Sequence, residues 1–362
     1  MRKLQMFLIF TAIASLHQSC SEDNSNSLEM ENIQIPFAKV EVLDINEGKV
    51  IPLETKGEES MISSITNIEA IQDTLVILST HSISKFDESG HFLGTIGAVG
   101  HASSEYTDTR SMFISDRKIH VFDWGGRKIN TYDPSGNFLS KQDINSNENN
   151  IYPSSLFRTN EGSLLSVNCY QGQDVLTPAF SIFSSSGDLA YDIKGMYKKD
   201  GTTRNELRFS PSTNTLLYAE AFNDTIYRVM LDKAEAVKAY YIDYGEYKFT
   251  EAEKSGKNFV EMCQYSNKEE FIKTKAGPIF CCYETEEEMM FVFIFQKKLH
   301  FVRYDKNDKA TRVFRLEDKT GHLEANLFVA YTKDNVFFSC VDTKSMENNP
   351  ILVKFSFEKF NK

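Results

Sequence analysis

The stretch FDESGHFLGTIG (86–97) has a near copy, YDPSGNFLSKQD, at 132–143, and the interval between the two decides the fold. Both read aromatic, Asp, two residues, Gly, one residue, Phe, Leu. An Asp side chain bonds its own backbone and Gly supplies positive φ, so the middle of the phrase is a tight turn between two strands. The second copy starts 46 positions after the first, and IFSSSGDL (182–189) keeps an aromatic at Phe183 and a glycine four residues later. Carrying the aromatic or apolar mark forward gives Phe86, Tyr132, Phe183, Val229, Tyr304 and Phe355. The steps are 46, 51, 46, 75 and 51 residues, which makes six units with one insertion. Repeats of about 40–50 residues built from strand-length runs predict a propeller, one blade per unit.

The second unit shows the plan of a blade. RSMFIS, KIHVFD, KINTYD and FLSKQD are four strand-length runs separated by Asp116-Arg117, Trp124-Gly125-Gly126 and Pro134-Ser135-Gly136. Each turn carries the Gly, Pro, Asp or Ser that turns require. The first unit repeats it with SITNIEAI, TLVILST, SISKFD and FLGTIG; the fourth reads ELRFS, LLYAEA, TIYRVM and VKAYYI. The sixth has only LFVAYT, VFFSCV and ILVKFSF. An open ring would leave two unpaired sheet edges. The alternating segment IPFAKVEVL (35–43) has no blade of its own and is expected to supply the missing outer strand. The long step holds TEAEKSGKNFVEMCQYSNKEEFIKT (250–274), where Glu and Lys alternate with Phe259, Val260, Met262, Cys263, Phe271 and Ile272. This predicts one or two short amphipathic helices inserted over about 246–275, serving as a lid over one face or as packing on the rim. The expected fold is therefore all-β: a six-bladed β-propeller of four-stranded antiparallel blades, closed by an N-terminal strand, with a helical insertion between blades 4 and 5. It forms a single domain over 35–362.

Composition agrees: 28 Phe and 16 Tyr stand against one Trp, and aromatics pack well on pleated surfaces. The formal charge is −11 with no basic stripe, so the footprint of a nucleic-acid binder is missing and no nucleic acid is expected as partner. Nothing in the sequence calls for an oligomer, and a monomer is expected.

The first residues read as an address. Arg2 and Lys3 precede an apolar run, 4–16, that is too short to span a bilayer of roughly 30 Å. The run ends at Ser19-Cys20, and the chain then turns abruptly polar, SEDNSNSLEMEN. This resembles a bacterial lipoprotein signal, which implies cleavage after residue 19 and diacylglycerol on the Cys20 thiol. His17 and Gln18 depart from that pattern, which prefers Leu and a small residue there; the alternative is an ordinary secretory signal with Cys20 incidental. The acidic residues after Cys20 also resemble a surface-export signal of lipoproteins in some Gram-negative gut anaerobes. Residues 20–34 are expected to be a flexible acidic tether. Beyond Cys20 lie Cys169, Cys263, Cys281, Cys282 and Cys340, an odd number without metal spacing, read as small buried hydrophobes.

FDESGHFLGTIGAVGHASSEY (86–106), FDWGGRKINTYDPSGNFL (122–139) and FNDTIYRV with YYIDYG are similar to the six-bladed β-propeller lipoproteins abundant in Gram-negative gut anaerobes, relatives of NHL-repeat propellers. Their phrase runs aromatic, Asp, two residues, Gly-Lys-Phe, then Ile-Gly and a Gly-rich loop ending Gly-Glu-Tyr. Here Glu105-Tyr106 is kept, and Ala102-Ser103-Ser104 replaces the Gly-Pro-Gly portion. The resemblance covers the whole mature chain and implies a lipoprotein of the cell envelope, held at the outer membrane by its anchor and in some members exposed at the surface. It imports no catalytic residue.

In a four-stranded meander alternate turns point the same way, so the turn between strands 2 and 3 shares a face with the link into the next blade. This places His101, Glu105 and Tyr106 beside Asp123, Trp124 and Arg127 as a candidate ligand-binding face. His81, 171–174, Asn223, Asp224 and 343–349 belong to the same side. An indole in a turn offers a flat apolar surface with a donor N–H, and Arg127 can fork onto a carboxylate. Packing between blades and local ion pairing would account for the same residues. No dinucleotide fingerprint, nucleophile elbow or zinc motif is present, so no catalytic residue and no cofactor is assigned. The acidic run Glu284, Glu286, Glu287 and Glu288 reads as a solvated hairpin turn in preference to a Ca²⁺ site. The expected function is a non-enzymatic binding module for a glycan, a peptide or an envelope protein. The alternative is a propeller enzyme of the lactonase or lyase kind, with a divalent cation in the central channel held by Asn67, Glu69 and Asn160.

Overall fold

Six sheets surround a common axis in the computed structural model, which describes residues 30–79, 82–145, 153–169, 177–198, 206–207, 209–331, 335–344 and 348–356. The leader, Cys20 and the tether as far as residue 29 lie outside the described residues. Blade 1 runs Ile65–Ile71, Thr74–Ser79, Ile83–Asp87, Phe92–Thr95, and blade 2 Thr109–Ser115, Lys118–Asp123, Lys128–Tyr132, Phe138–Asp143. Blade 3 is Pro153–Arg158, Leu164–Asn168, Phe180–Phe183, Leu189–Asp192. Blade 4 is Phe209–Ser210, Thr215–Ala219, Thr225–Met230, Glu235–Asp243, and blade 5 Ile279–Glu284, Glu288–Phe295, Lys298–Asp305, Thr311–Glu317. Blade 6 contributes Leu323–Tyr331, Asn335–Asp342 and Ile351–Ser356 from the end of the chain.

The core lies between blades. Six apolar clusters each join one blade to its neighbour, as where Val76 and Leu78 of blade 1 meet Met112 and Val121 of blade 2. All six repeat marks are buried on third strands: Phe86, Tyr132, Phe183, Val229, Tyr304 and Phe355. The repeat period is thus the spacing of one buried side chain per blade.

The repeated phrase has two jobs. Within a blade it turns strand 3 into strand 4. Asp87 Oδ1 accepts from the N–H groups of Ser89 and His91 at 2.8 and 2.9 Å, and Asp133 Oδ1 from that of Asn137 at 2.8 Å. Gly90, Gly136 and Gly187 take φ of +92°, +98° and +93°. Phe86 then faces Phe92, and Tyr132 faces Phe138, edge to face at 5.6 and 6.0 Å. Between blades the turn is a lock. Glu54 N–H donates to the Gly90 carbonyl and Asn145 N–H to that of Gly187, both at 2.8 Å. Lys85 of blade 1 reaches the Ser135 carbonyl of the blade 2 turn at 2.5 Å.

Closure is non-covalent and N-terminal, as expected, but through a different segment. Lys49–Pro52 pairs antiparallel with Ile351–Ser356 as the fourth strand of blade 6, burying Ile51. The expected segment, 35–43, fails as a continuous strand because Pro36 has no N–H and Phe37–Lys39 forms a 3-10 turn. That turn seats Phe37 against Tyr247 and Phe295, with ring centres 4.5 and 4.8 Å away. Glu41–Asp44 instead lies parallel on the outer edge of blade 5. Glu31–Gln34, expected as part of the tether, lies parallel on the outer edge of blade 4. The N-terminal segment therefore laces blades 4, 5 and 6 in succession. The run ELRFS divides as well: Glu206–Leu207 pairs with the inner strand of blade 5, and Phe209–Ser210 with blade 4.

Glu284 is a second departure from the sequence reading. Only 1% exposed, it accepts two hydrogen bonds from Arg228 at 2.8 Å and one from Lys306 at 2.9 Å. It is a buried ion-pair centre between blades 4 and 5; Glu286 and Glu287 are exposed, and Glu288 pairs with Arg303. Of the five described cysteines, Cys281, Cys282 and Cys340 are buried, while Cys169 and Cys263 are partly exposed.

The insertion forms three short helices, Glu251–Lys254, Phe259–Ser266 and Glu269–Ile272. Capping boxes Thr250/Glu253 and Asn258/Glu261 start the first two, which satisfies N–H groups that so short a helix cannot otherwise pair. Phe249, Tyr265 and Phe271 pack ring on ring beneath them.

Candidate functional site

The link from blade 1 to blade 2 and the first long turn of blade 2 form one bonded unit. Lys128 Nζ donates to the Glu105 carbonyl at 2.8 Å, Asn130 Nδ2 to the same oxygen at 2.9 Å, and the Tyr132 hydroxyl to the Ser104 carbonyl at 3.0 Å. Three alternating positions of one β-strand region thus hold the loop by its backbone carbonyls. From the other side Asp123, fully buried, accepts at Oδ1 from Thr107 N–H (3.0 Å), Thr107 Oγ1 (2.9 Å) and Asp108 N–H (2.9 Å). Its Oδ2 makes no hydrogen bond and lies 3.9 Å from Lys128 Nζ.

The six candidate residues therefore divide. Asp123 and Tyr106 are structural: Tyr106 is 3% exposed, and burial pushes its hydroxyl up to about 12. The Glu105 carboxylate caps its own loop by accepting from Ala102 N–H at 2.8 Å. His101, Trp124 and Arg127 are exposed. Trp124, 38% exposed, carries the Arg110 guanidinium over its ring at 5.0 Å, and Arg110 is itself fixed by Asp108 at 2.7 Å. One indole face is thus covered by a cation. Lys128, Asn130 and Arg110 were not legible as site residues, because each acts across a register that only the paired strands define.

Asp123→Ala removes three acceptor contacts at once. Hydrogen bonds to a charged acceptor contribute about 1.5–3 kcal/mol each before relaxation. We expect a loss of roughly 2–3 kcal/mol in urea unfolding and a clear rise in acrylamide quenching of Trp124, the only tryptophan. Unchanged quenching would show that the clamp does not position the indole.

Two of the residues suggested for a channel cation are committed to backbone carbonyls in different blades, while Glu69 shares the inner strand of blade 1 with Asn67. Asn67 Nδ2 is bound to the Met112 carbonyl at 2.8 Å, and Asn160 sits in a turn bonded to the Pro211 carbonyl at 2.8 Å. Among the described residues no cluster of three His, Cys, Asp or Glu is placed to hold a metal. His81 and 171–174 lie outside the described residues, as do 345–347. Asn223 and Asp224 form the long turn of blade 4, where Asp224 lies 3.7 Å from Lys254 of the insertion.

The insertion stands on the same face as Trp124. It begins and ends on the link between blades 4 and 5, and Lys254 Nζ donates to the Phe222 carbonyl at 3.2 Å. Between it and blades 4 and 5 lies a cavity of about 470 Å³ lined mainly by apolar side chains. No sequence signal marked it, since residues near 221, 249, 263, 280 and 294 meet only in the fold.

Comparison with known proteins agrees with the architecture. A family model described as "Domain of unknown function (DUF4934)" matches residues 38–354. No curated protein matches the chain in sequence. Among solved structures, one described as an exported protein of Bacteroides fragilis is similar at 18% identity and TM-score 0.62, over 90% of this chain and 99% of that one. A member of the DUF4221 family from Bacteroides vulgatus is similar at 9% identity and TM-score 0.55, over 85% and 96%. At these identities the likeness is one of fold.

Proposed function

This chain belongs to the DUF4934 domain family, and from that premise we propose that it is a lipid-anchored propeller of the cell envelope that binds a partner through the face bearing the interblade links. One observation carries the reading: the two faces of the ring are built differently. On one face the turns between strands 3 and 4 are short and, in blades 1 to 4, bonded to the preceding blade. The opposite face carries the longer links, the exposed Trp124 and the helical insertion. Sites on rigid β scaffolds are typically formed by such loops.

The lacing of the N-terminus favours the same orientation. Glu31 accepts from the Tyr304 hydroxyl at 2.7 Å and shares a surface hollow with Lys309 and Thr311, beside the strand 3–4 turn of blade 5. The described chain thus begins on the side opposite Trp124, and an anchor ahead of it would leave the link face turned away from the bilayer. The exported relative from Bacteroides fragilis is consistent with an envelope location. An indole stacked by Arg110, with Arg127 in the same turn, suits a sugar ring or an aromatic peptide side chain carrying an acceptor or carboxylate. The partner class is a glycan, a peptide or an envelope protein.

Two measurements test the reading. Radiolabelled palmitate should enter the wild-type chain and not Cys20→Ser; incorporation into both, or neither, refutes the anchor. Intact protein titrated with oligosaccharides and envelope peptides should show a ligand that shifts Trp124 emission, and Arg127→Ala should weaken it by about tenfold, the effect of one charge-assisted contact. A panel with no response, together with no protein retained from envelope extracts, would sink the binding-face reading.

A further inference from the structure

We propose that the cavity between the helical insertion and blades 4 and 5 is a binding site for a small amphiphilic anion, an apolar body bearing one carboxylate or equivalent group. Its body is formed by Phe222, Phe249, Ile272, Phe280 and Ile294. At about 470 Å³ it falls within the size of small-molecule sites, which are mostly apolar with few polar groups.

Charge selects the class of ligand. The chain holds 51 acidic residues, yet among the described residues none lines this cavity, whereas two lysines do. Lys275 is committed to Glu253 at 3.1 Å and to the Lys248 carbonyl at 2.8 Å. Lys297 is exposed on the turn between strands 2 and 3 of blade 5 and makes no ion pair among the described residues. A cation at the mouth of an acid-free apolar cavity favours an anionic headgroup and disfavours a cationic one.

A comparison among blades supplies an independent argument. The inner strands of blades 1, 2, 3 and 5 carry the same register shift, between Ile65 and Asn67, Thr109 and Ser111, Pro153 and Ser155, and Ile279 and Cys281. The residue left over is Thr66, Arg110, Ser154 or Phe280. Thr66 and Ser154 turn their hydroxyls onto carbonyls of strand 2, at 3.0 and 2.8 Å. Arg110 supports Trp124. In blade 5 the position is aromatic, half-buried, and lines the cavity. A bulge re-aims one side chain, and here it aims a phenyl ring at the space beneath the insertion. The ring has no hydrogen-bonding role to replace those of Thr66 and Ser154.

The proposal extends the link-face reading to a second place on that face, and the experiment separates the two because Cys263 reports on the cavity and Trp124 on the loop pair. In intact chain carrying Cys20→Ser and Cys169→Ser, Cys263 is the one thiol that is neither replaced nor buried among those described. Decanoate should slow its alkylation by maleimide at alkaline pH at least about fivefold. Decanol should protect about fivefold less well at equal concentration, as should decanoate with Lys297→Glu, since one solvated ion pair is worth about that factor. Lys297→Gln, an uncharged change at the same exposed site, guards against a folding defect and should give an intermediate loss. No protection by decanoate overturns the proposal. So does equal protection by decanol and decanoate, or indifference to both Lys297 variants, either of which would describe a greasy cavity without anion selection. A failed Trp124 titration beside successful Cys263 protection would refute the loop site and leave this one standing.

Discussion

Gly90→Ala is expected to be among the most damaging small substitutions in the chain, costing roughly 2–5 kcal/mol. Two effects add. An L-residue at φ +92° carries backbone strain of roughly 1–2 kcal/mol. A Cβ there would also stand far inside 3.0 Å of the Pro52 carbonyl oxygen, backbone that cannot swing away, and overpacking typically costs about 1–3 kcal/mol. Pro52 ends the four-residue strand that closes the ring, and that strand is held to the rest of blade 6 by strand pairing alone, so the clash pushes on a strand with no hairpin to its blade. Gly187→Ala meets the Asp143 carbonyl in the same way, but Asp143 ends a strand that a hairpin turn joins to the rest of blade 2. Gly162→Ala is the control: φ is +84° and nothing stands within 4 Å of the added atom. The expected order of destabilisation in urea is Gly90, then Gly187, then Gly162 at about 1–2 kcal/mol. Equal losses at all three would falsify the lock and leave only a turn requirement.

That experiment also marks how far the sequence could be read. The phrase at 86–97 exposed the period because its Asp, Gly and aromatic are local requirements, spaced by the blade itself. Its second role, docking on the preceding blade, is invisible in one copy because Pro52, Thr95 and Asp143 share no residue type. The closing strand was misplaced for a related reason. IPFAKVEVL alternates better than KVIP, but alternation cannot show that Phe37 is wanted between blades 4 and 5. At the candidate site, loop membership was legible and side-chain duty was not. Asp123 and Tyr106 look like ligand residues in the sequence and are buried supports in the fold, while the cavity under the insertion joins five separated segments.

Glu284→Ala should cost about 3–5 kcal/mol, because it leaves Arg228 and Lys306 as half-buried cations without their common carboxylate. Both are largely withdrawn from water, and Arg228 also bonds the Tyr240 hydroxyl at 2.7 Å. The carboxylate receives Thr215 Oγ1 at 2.7 Å as well, so its charge is met from several sides. Burial alone would raise its pKa; the bonds and charge of Arg228, then the charge of Lys306, outweigh that and hold it at about 2. Since the folded value lies below the ordinary 4.5, the unfolded chain takes up the proton first as pH falls. The stabilisation is complete above pH 4.5 and is lost between there and about 2. His300 acts in a separate window. Burial pushes its imidazole down from 6.5 to about 4, so its contribution is lost between those values. Unfolding free energy should therefore fall in two stages on acidification, and Glu284→Gln should shrink only the lower one, to which other carboxylates held low, such as Asp318, also contribute. The triple variant Arg228→Met, Glu284→Met, Lys306→Met should recover most of the stability lost in Glu284→Ala, since a well-packed apolar replacement of a buried ion cluster is often neutral. If Glu284→Ala costs less than about 1 kcal/mol, the three groups are solvated and the cluster is an ordinary surface ion pair. If the triple variant is worse than the single one, the charges do more than cancel each other: they hold blades 4 and 5 in register, and the seam beside the insertion depends on them.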